Sequence, residues 1–184
     1  ILPLWQLETE DFEQRPRWLE RRRAGYEQAM REAGAEPMVP LVYRQLPIWP
    51  VDTAERFEQH ARLAAGYLVE HVRGKAPPDA LLAVSDEVVF YAATALRRLG
   101  LEPNRDVLLA GYDHCWRDWP LREYESAIPL VTVDKRNADV GGELVRLLTQ
   151  RLDGDLGEAP ETRSVPPVLV ETPTPAVPKR GECP

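Results

Sequence analysis

The chain has 184 residues, 43% of them hydrophobic, and a formal net charge of −7. That is enough chain and apolar surface for one domain with a core, while the acidic balance argues against this segment holding a long run of nucleic-acid phosphates. No run of about 18 apolar residues reads as a membrane span. The opening residues carry no basic region or cleavage site of a signal peptide. Cys115 and Cys183 form neither a CxxC pair nor a disulfide framework, which fits a reducing, cytoplasmic setting with no metal and no cofactor.

Residues 1–7 predict a first strand, followed by an acidic loop over 8–14. A helix is expected over 16–33, with Trp18, Gly25, Tyr26, Ala29 and Ala33 on one stripe and Gly34 as its stop. Arg22 falls on that stripe. A guanidinium on the buried side of a helix needs an anionic or hydroxyl partner, so an internal salt bridge, a snorkelled head and a ligand contact are all open to it. Residues 37–42 read as a second strand, leading to a loop over 43–51 in which Pro47 and Pro50 flank Ile48 and Trp49. From 52 to 72, Phe57, Ala61, Ala64, Leu68 and Val72 predict one long amphipathic helix.

The most informative stretch is 80–113. Residues 80–84 are a short apolar run after Pro77-Pro78-Asp79, the mark of a strand covered on both faces. It ends at Ser85-Asp86, either of which suits a helix N-cap. Val89, Ala92, Ala93, Leu96 and Leu99 then recur at helical spacing up to Gly100, and a second apolar strand over 107–112 ends at Asp113. Strand, helix and strand in this length predict a right-handed βαβ unit with parallel strands. Ser85, Asp86 and Asp113 are therefore expected on one rim, where open parallel sheets bind ligands.

Residues 114–127, rich in Trp and charge, predict a loop whose Trp116, Trp119 and Tyr124 either pack on their own domain or face a partner. A strand over 128–133 and a helix over 138–152 follow, the latter with Val140, Gly141, Leu144, Val145 and Leu148 inward. A last strand is expected over 164–171. The Pro-rich tail, 173–184, has little to bury and is expected to be disordered.

The ordered series Leu81 to Asp86, Gly100-Leu101, Pro103 to Val107, Gly111-Tyr112-Asp113 and Pro129 to Val133 resembles the effector-binding core of the lactose and galactose repressor family of bacterial transcription regulators. Arg22-Arg23-Ala24-Gly25-Tyr26 resembles that family's Arg-x-x-Gly-aromatic motif. Two departures stand out: Ser85 replaces the usual Asn, and Val131 replaces a Thr. The resemblance implies an α/β fold with a parallel sheet: an incomplete periplasmic-binding-protein-like type I lobe of three αβα layers. Residues 1–172 would be the C-terminal lobe, with 130–152 crossing toward an N-terminal lobe that lies outside this sequence.

The same resemblance implies an effector, a carbohydrate or similar small molecule, held between the lobes by Arg22, Asp113 and Ser85. Trp49, or Phe57 in its place, would lie over the ligand's apolar face, with Lys135 and Asn137 near the crossing. It further implies a homodimer through this lobe, DNA contact only through a helix-turn-helix outside this sequence, and an allosteric response. A periplasmic sugar-binding protein of a transport system is the alternative, since it shares the two-lobed architecture. An enzyme is not expected. The chain has no Gly-x-Ser-x-Gly elbow, no phosphate loop and no Gly-x-Gly-x-x-Gly, and His60, His71 and His114 stand in no recognisable triad.

Overall fold

The computed structural model describes residues 1–8, 14, 16–48 and 50–172. The expectations for Trp49, for most of the acidic loop and for the tail over 173–184 fall outside the described residues. Strands β1 (Leu2–Leu7), β2 (Leu41–Arg44), β3 (Ala80–Ala83), β4 (Leu108–Ala110), β5 (Val131–Asp134) and β6 (Val168–Glu171) form one sheet in the order β2-β1-β3-β4-β5-β6. All neighbouring pairs are parallel except β5 with β6. The helices are α1 (Arg17–Glu32), α2 (Ala54–Val72), α3 (Asp86–Arg98) and α4 (Asn137–Leu152), with a short 3-10 turn at Pro120–Glu123.

The strand order fixes where the helices go. The step from β1 to β2 runs one way along the sheet, and the steps from β2 to β3 and β3 to β4 run the other way. Right-handed crossovers then put α1 on one face and α2 with α3 on the opposite face. The burial of β1 records both coverings, because all six of its residues are buried. By the two-residue period of a strand, Leu2 and Leu4 enter the large core with Phe57, Leu68, Phe90, Tyr91 and Leu96. Trp5 and Leu7 point the other way and form a smaller core with Leu19 of α1. The reversal of direction lies between β1 and β3, the switch point at which such sheets open a crevice beyond their C-terminal ends.

Several boundaries differ from the sequence expectation, each for a local reason. The second strand is paired from Leu41 rather than from 37, since Pro37 and Pro40 have no N–H for the ladder. Tyr43, expected in a loop, is instead fully buried and stacks on Tyr67 at 4.9 Å. β4 stops at Ala110 because the Tyr112 carbonyl is diverted to the Asp86 N–H at 2.8 Å. The last strand is confined to Val168–Glu171, after Pro166-Pro167.

The buried stripe of α1 is Leu19, Tyr26 and Met30 rather than Trp18, Ala29 and Ala33. Arg22 keeps its place on it, three residues after Leu19 and four before Tyr26. The Tyr26 hydroxyl donates to the Ile1 carbonyl at 2.7 Å and accepts from the Met38 N–H at 2.8 Å, which fixes α1 across the sheet.

Two further expectations are corrected. Phe57 is in the main core at 4% exposure, packed on Tyr91 and Tyr124, and cannot cover a ligand. In α4 no residue is buried: Val140, Leu144, Val145 and Leu148 are 37%, 62%, 64% and 60% exposed. Its apolar stripe has the helical period but is exposed in the described chain. No helix among the described residues is long and apolar enough to cross a membrane.

Gly111 supplies a stability test of the rim of the sheet. A Cβ there would lie 2.1 Å from Asp86 Oδ1 and 3.2 Å from Val89 Cγ2, so Gly111→Ala should cost about 2 kcal/mol or more by overpacking. Gly66, in α2 with nothing within 4 Å of a built Cβ, is the control: Gly66→Ala should stabilise by about 0.5–1 kcal/mol. Urea denaturation of the two variants checks both signs.

Candidate functional site

The site is built on a buried carboxylate. Asp86, the first residue of α3, is fully buried. Its Oδ2 accepts the backbone N–H groups of Cys115 and Trp116 at 2.9 and 3.2 Å, and its Oδ1 accepts the Thr132 hydroxyl at 2.7 Å. Its own N–H donates to the Tyr112 carbonyl. One side chain thus ties the start of α3 to the turn after β4 and to β5. Burial raises its pKa, against the opposing effect of the three donors. The cap of α3 is the neighbour, Ser85, whose hydroxyl accepts from the Val88 N–H at 3.4 Å.

The turn that Asp86 holds has a left-handed backbone at two consecutive non-glycine residues, Asp113 with φ 97° and His114 with φ 53°. Such conformations persist only where surroundings impose them. Here they are imposed by the Asp86 carboxylate on one side and by hydrogen bonds to β5 on the other, Asp113 N–H to the Val133 carbonyl at 2.9 Å and His114 N–H to Thr132 Oγ1 at 3.3 Å. The result aims Asp113 along the rim, where its Oδ1 is ion-paired with Lys135 Nζ at 2.7 Å.

Arg22 arrives at the same rim from α1. Its NH1 donates to the Val84 carbonyl at 2.8 Å, at the end of β3. Its guanidinium carbon lies 3.7 Å from the centre of the Tyr112 ring and 4.7 Å from that of Trp18, one helical turn before it. Both rings lie within cation–π range of the guanidinium, whose N–H donors suit planar recognition. Lys135 Nζ is 5.9 Å from the centre of the same Tyr112 ring. Arg22, Tyr112, Asp113 and Lys135 therefore form a continuous set of contacts across the ends of β3, β4 and β5.

Of the residues named from the sequence, Arg22 and Asp113 are linked through Tyr112 and Lys135. Ser85 lies between Val84, which holds Arg22, and Asp86, but its hydroxyl is engaged as a cap. Asn137, the first residue of α4, is exposed and makes none of these contacts. Trp49 lies outside the described residues, although its flanking groups are placed. The Ile48 carbonyl meets His60 Nε2 at 3.3 Å and the Pro50 carbonyl accepts from Arg56 at 3.0 Å.

His60 is itself fully buried, stacked on Tyr91 at 4.8 Å, with Nδ1 3.4 Å from Gln6 Nε2. These partners fit a neutral ring that donates from Nε2 to the carbonyl and accepts at Nδ1, and burial lowers its pKa accordingly.

Two participants were not assigned a role from the sequence, and a third was given a different one. Tyr112 was visible only as the middle of Gly-Tyr-Asp, and Trp18 was placed in the core rather than against Arg22, although a spacing of four residues on a helix is the signal for such a pair. Asp86 read as a cap. The loop after β4 is also now explained: Trp116 is 5% exposed, and Trp119 and Tyr124 pack against the main core. Buried Glu125 ties its far end to α3 by accepting from Thr94 at 2.9 Å and from Arg97 at 3.3 Å. Cys115, within that loop, has its thiol pushed up to about 12, chiefly by burial. Such a thiol is a poor nucleophile.

A mostly parallel sheet with helices on both faces and a polar rim at its switch point defines a doubly wound α/β fold. The chain belongs to the periplasmic binding protein-like domain family, whose model matches residues 9–172. No curated protein sequence matches it. Among solved structures, a putative transcriptional regulator of the LacI family from Sanguibacter keddieii is similar with a TM-score of 0.64 at 24% identity, over 92% of this chain and 56% of that one. A transcriptional regulator CelR–cellobiose complex gives 0.57 at 23% identity, over 85% and 41%. A dimeric Lac repressor with a C-terminal deletion gives 0.56 at 20% identity, over 92% and 53%. The chain spans about half the length of these structures.

The raised pKa of Asp86 sets a pH dependence. Folded, the carboxyl binds its proton more readily than it does unfolded, so its contribution to stability is full below the ordinary carboxyl value of about 3.9 and is lost as pH rises through the raised one. Asp86→Asn keeps an acceptor for the two N–H groups and removes the titration. The stability of the native chain relative to this variant should therefore fall as pH rises above about 4, whereas Asp86→Ala, which strands three donors, should cost about 3 kcal/mol or more. Urea midpoints measured from pH 3.5 to 7 check both.

Proposed function

We propose that the chain is the C-terminal lobe of the effector-binding module of a bacterial transcription regulator of the lactose repressor kind, sensing a small carbohydrate-like effector at the rim described above. The observation that carries this reading is Arg22 lying over the Tyr112 and Trp18 rings at the switch point of the sheet, within one chain of contacts from Asp113. A guanidinium edge and a carboxylate on one rim offer several N–H donors and several acceptor sites, the complement of a polyhydroxylated ligand whose hydroxyls both donate and accept. Ser85 and Asn137 are proposed as flanking contacts, and Trp49 as the cover for the ligand's apolar face.

The effector would be closed from the other side by the N-terminal lobe of the same protein, against which the exposed stripe of α4 would pack. Binding between two lobes acts allosterically when the effector prefers one relative orientation of them to the other. DNA contact is proposed only for a helix-turn-helix beyond this segment, in agreement with its net charge of −7, and the protein is proposed to act in the cytoplasm as a homodimer without enzymatic activity. The aromatic loop over 114–127 gives that dimer little support, because its large side chains are spent on its own core. The names of the similar structures, CelR with cellobiose and a Lac repressor dimer bound to operator among them, favour the regulator over a transport component.

Asp113→Asn keeps the side chain's shape and removes its charge at a residue with φ 97°, and Asn, like Asp, accepts a left-handed backbone. In the full-length regulator this variant should retain the native melting temperature within a few degrees and lose at least tenfold in effector affinity, measured by calorimetry, with operator release by effector abolished in a mobility-shift assay. An unchanged response would remove Asp113 from the site.

A further inference from the structure

We infer that Gln6 is a specificity-determining contact of the effector whose polarity is set by His60: the amide turns its oxygen to the ligand while the His60 ring is neutral, and its N–H groups once that ring is charged. The inference rests on the proposed function of this rim and adds a residue to it. Gln6 is the last but one residue of β1. β1 pairs with β3 through Leu4 and Ala83, and the Val84 N–H donates to the Leu4 carbonyl at 3.0 Å. Carried on along the strands, with Ser85 still extended at φ −150° and ψ 165°, that register sets Gln6 level with Ser85, one strand spacing of about 4.8 Å away. Gln6 therefore stands at the switch point, beside the Val84 peptide whose carbonyl anchors Arg22.

The orientation of the amide follows from its partner. His60 Nε2 lies 3.3 Å from the Ile48 carbonyl, which can only accept, so that nitrogen carries the proton. In a neutral ring Nδ1 is then an acceptor, and the Gln6 amide, 3.4 Å from it, must offer its Nε2–H. The amide oxygen is left over. It accepts from no described residue, yet it is not sealed from solvent, although Gln6 as a whole is only 6% exposed. Arg22 can only donate, and Asp113 is shared with Lys135. The Gln6 oxygen is thus the acceptor that lets a hydroxyl held by Arg22 donate its own proton.

His60, a positioning residue, makes this orientation reversible. A charged ring donates from both nitrogens, so the amide has to turn over, its oxygen toward Nδ1–H and its N–H groups toward the donors of Arg22. A ligand hydroxyl between them can accept from both, but its own proton then has no acceptor. The groups that face the ring are Gln6 from β1, the Ile48 carbonyl from the loop after β2, and Tyr91 from α3, stacked at 4.8 Å, whose hydroxyl donates to Glu87 at 2.7 Å. Tyr43 of β2 stands beyond Tyr91, and on α2 itself Arg56, one turn before His60, is paired with Asp52 at 2.7 Å. Burial, opposed by the Ile48 carbonyl, lowers the His60 pKa, which places the reversal on the acid side of the ordinary value of about 6.5.

The test uses the full-length protein, with cellobiose, lactose and galactose as calorimetric probes and the ring-nitrogen NMR shifts of His60 as a readout that needs no ligand. At about pH 7.5 the ring should be neutral with its proton on Nε2, and between there and about pH 5 it should gain a second proton. Over the same interval the affinity for the sugar that binds should fall at least fivefold. Gln6→Met should bind that sugar at least fivefold more weakly at pH 7.5 and show less than a twofold change on acidification. His60→Asn, which keeps an acceptor for the amide and does not titrate, should bind within threefold of the native protein at pH 7.5 and be equally flat. Native affinity in Gln6→Met would overturn the contact. A proton on Nδ1 at pH 7.5, a ring that stays neutral to pH 5, or an acid response that survives in Gln6→Met would overturn the control by His60. Failure of all three sugars to bind at millimolar concentration would overturn the carbohydrate reading of the rim and the sugar contact of Gln6 with it, whereas tight binding indifferent to Gln6→Met would overturn the contact alone.

Discussion

The buried carboxylate of Asp86 is the interaction on which the functional end of this lobe depends. Strands β3, β4 and β5 bring their C-terminal ends to one level, but strand ends alone do not make a site, since the chain leaves each one in its own direction. Asp86 gathers three of these departures: the start of α3, the turn after β4 and the hydroxyl of Thr132 on β5. Gly111 is required beneath it, because any Cβ would occupy the place of the carboxylate. Burying a charge in this way is costly in isolation, and the raised pKa of Asp86 is the record of that cost.

What the tie secures is orientation. Asp113 and His114 take a left-handed backbone that neither would adopt freely, and this turns the Asp113 carboxylate toward Lys135 and the rim. On the other side, α1 is fixed by the two hydrogen bonds of Tyr26, so that Arg22 reaches Val84 and the Tyr112 ring. The loop from 114 to 127, held at one end by Asp86 and at the other by Glu125, covers α3 and keeps water from the tie. By contrast α4, beyond the rim, leaves its apolar stripe exposed and meets the following segment through polar contacts of Arg163 with Glu143 and Gln150.

Much of this was legible in the sequence because it was written in periods and punctuation. Apolar runs ending at Ser85-Asp86 and at Asp113 located the strand ends, the three-and-four spacing located α2 and α3, and the right-handed crossover rule brought Ser85, Asp86 and Asp113 to one rim, whereas Arg22 was joined to them only by the resemblance of its motif. The ordered motifs added the family. What was not legible was the use made of side chains by distant neighbours. Nothing in the spacing of Asp86 distinguishes a helix cap from a buried tie, and the difference lies in the backbone N–H groups of residues 115 and 116. Tyr112 gained its role only when Arg22 arrived from another element. The apolar stripe of α4 read as inward because its pattern is that of a packed helix, and a pattern carries no information on whether the partner belongs to the same segment.

The central claim is that Arg22 and Asp113 read one ligand from one rim, oriented by Asp86. A crystal structure of the full-length protein with its effector bound tests it most directly. The account predicts polar atoms of the effector within hydrogen-bond distance of both the Arg22 guanidinium and the Asp113 carboxylate, alongside the Tyr112 ring. An effector seated elsewhere, for example in the groove bounded by Trp5, Leu7, Val39 and Val42 beside α1, with Arg22 still engaged only by Val84 and its two rings, would contradict it.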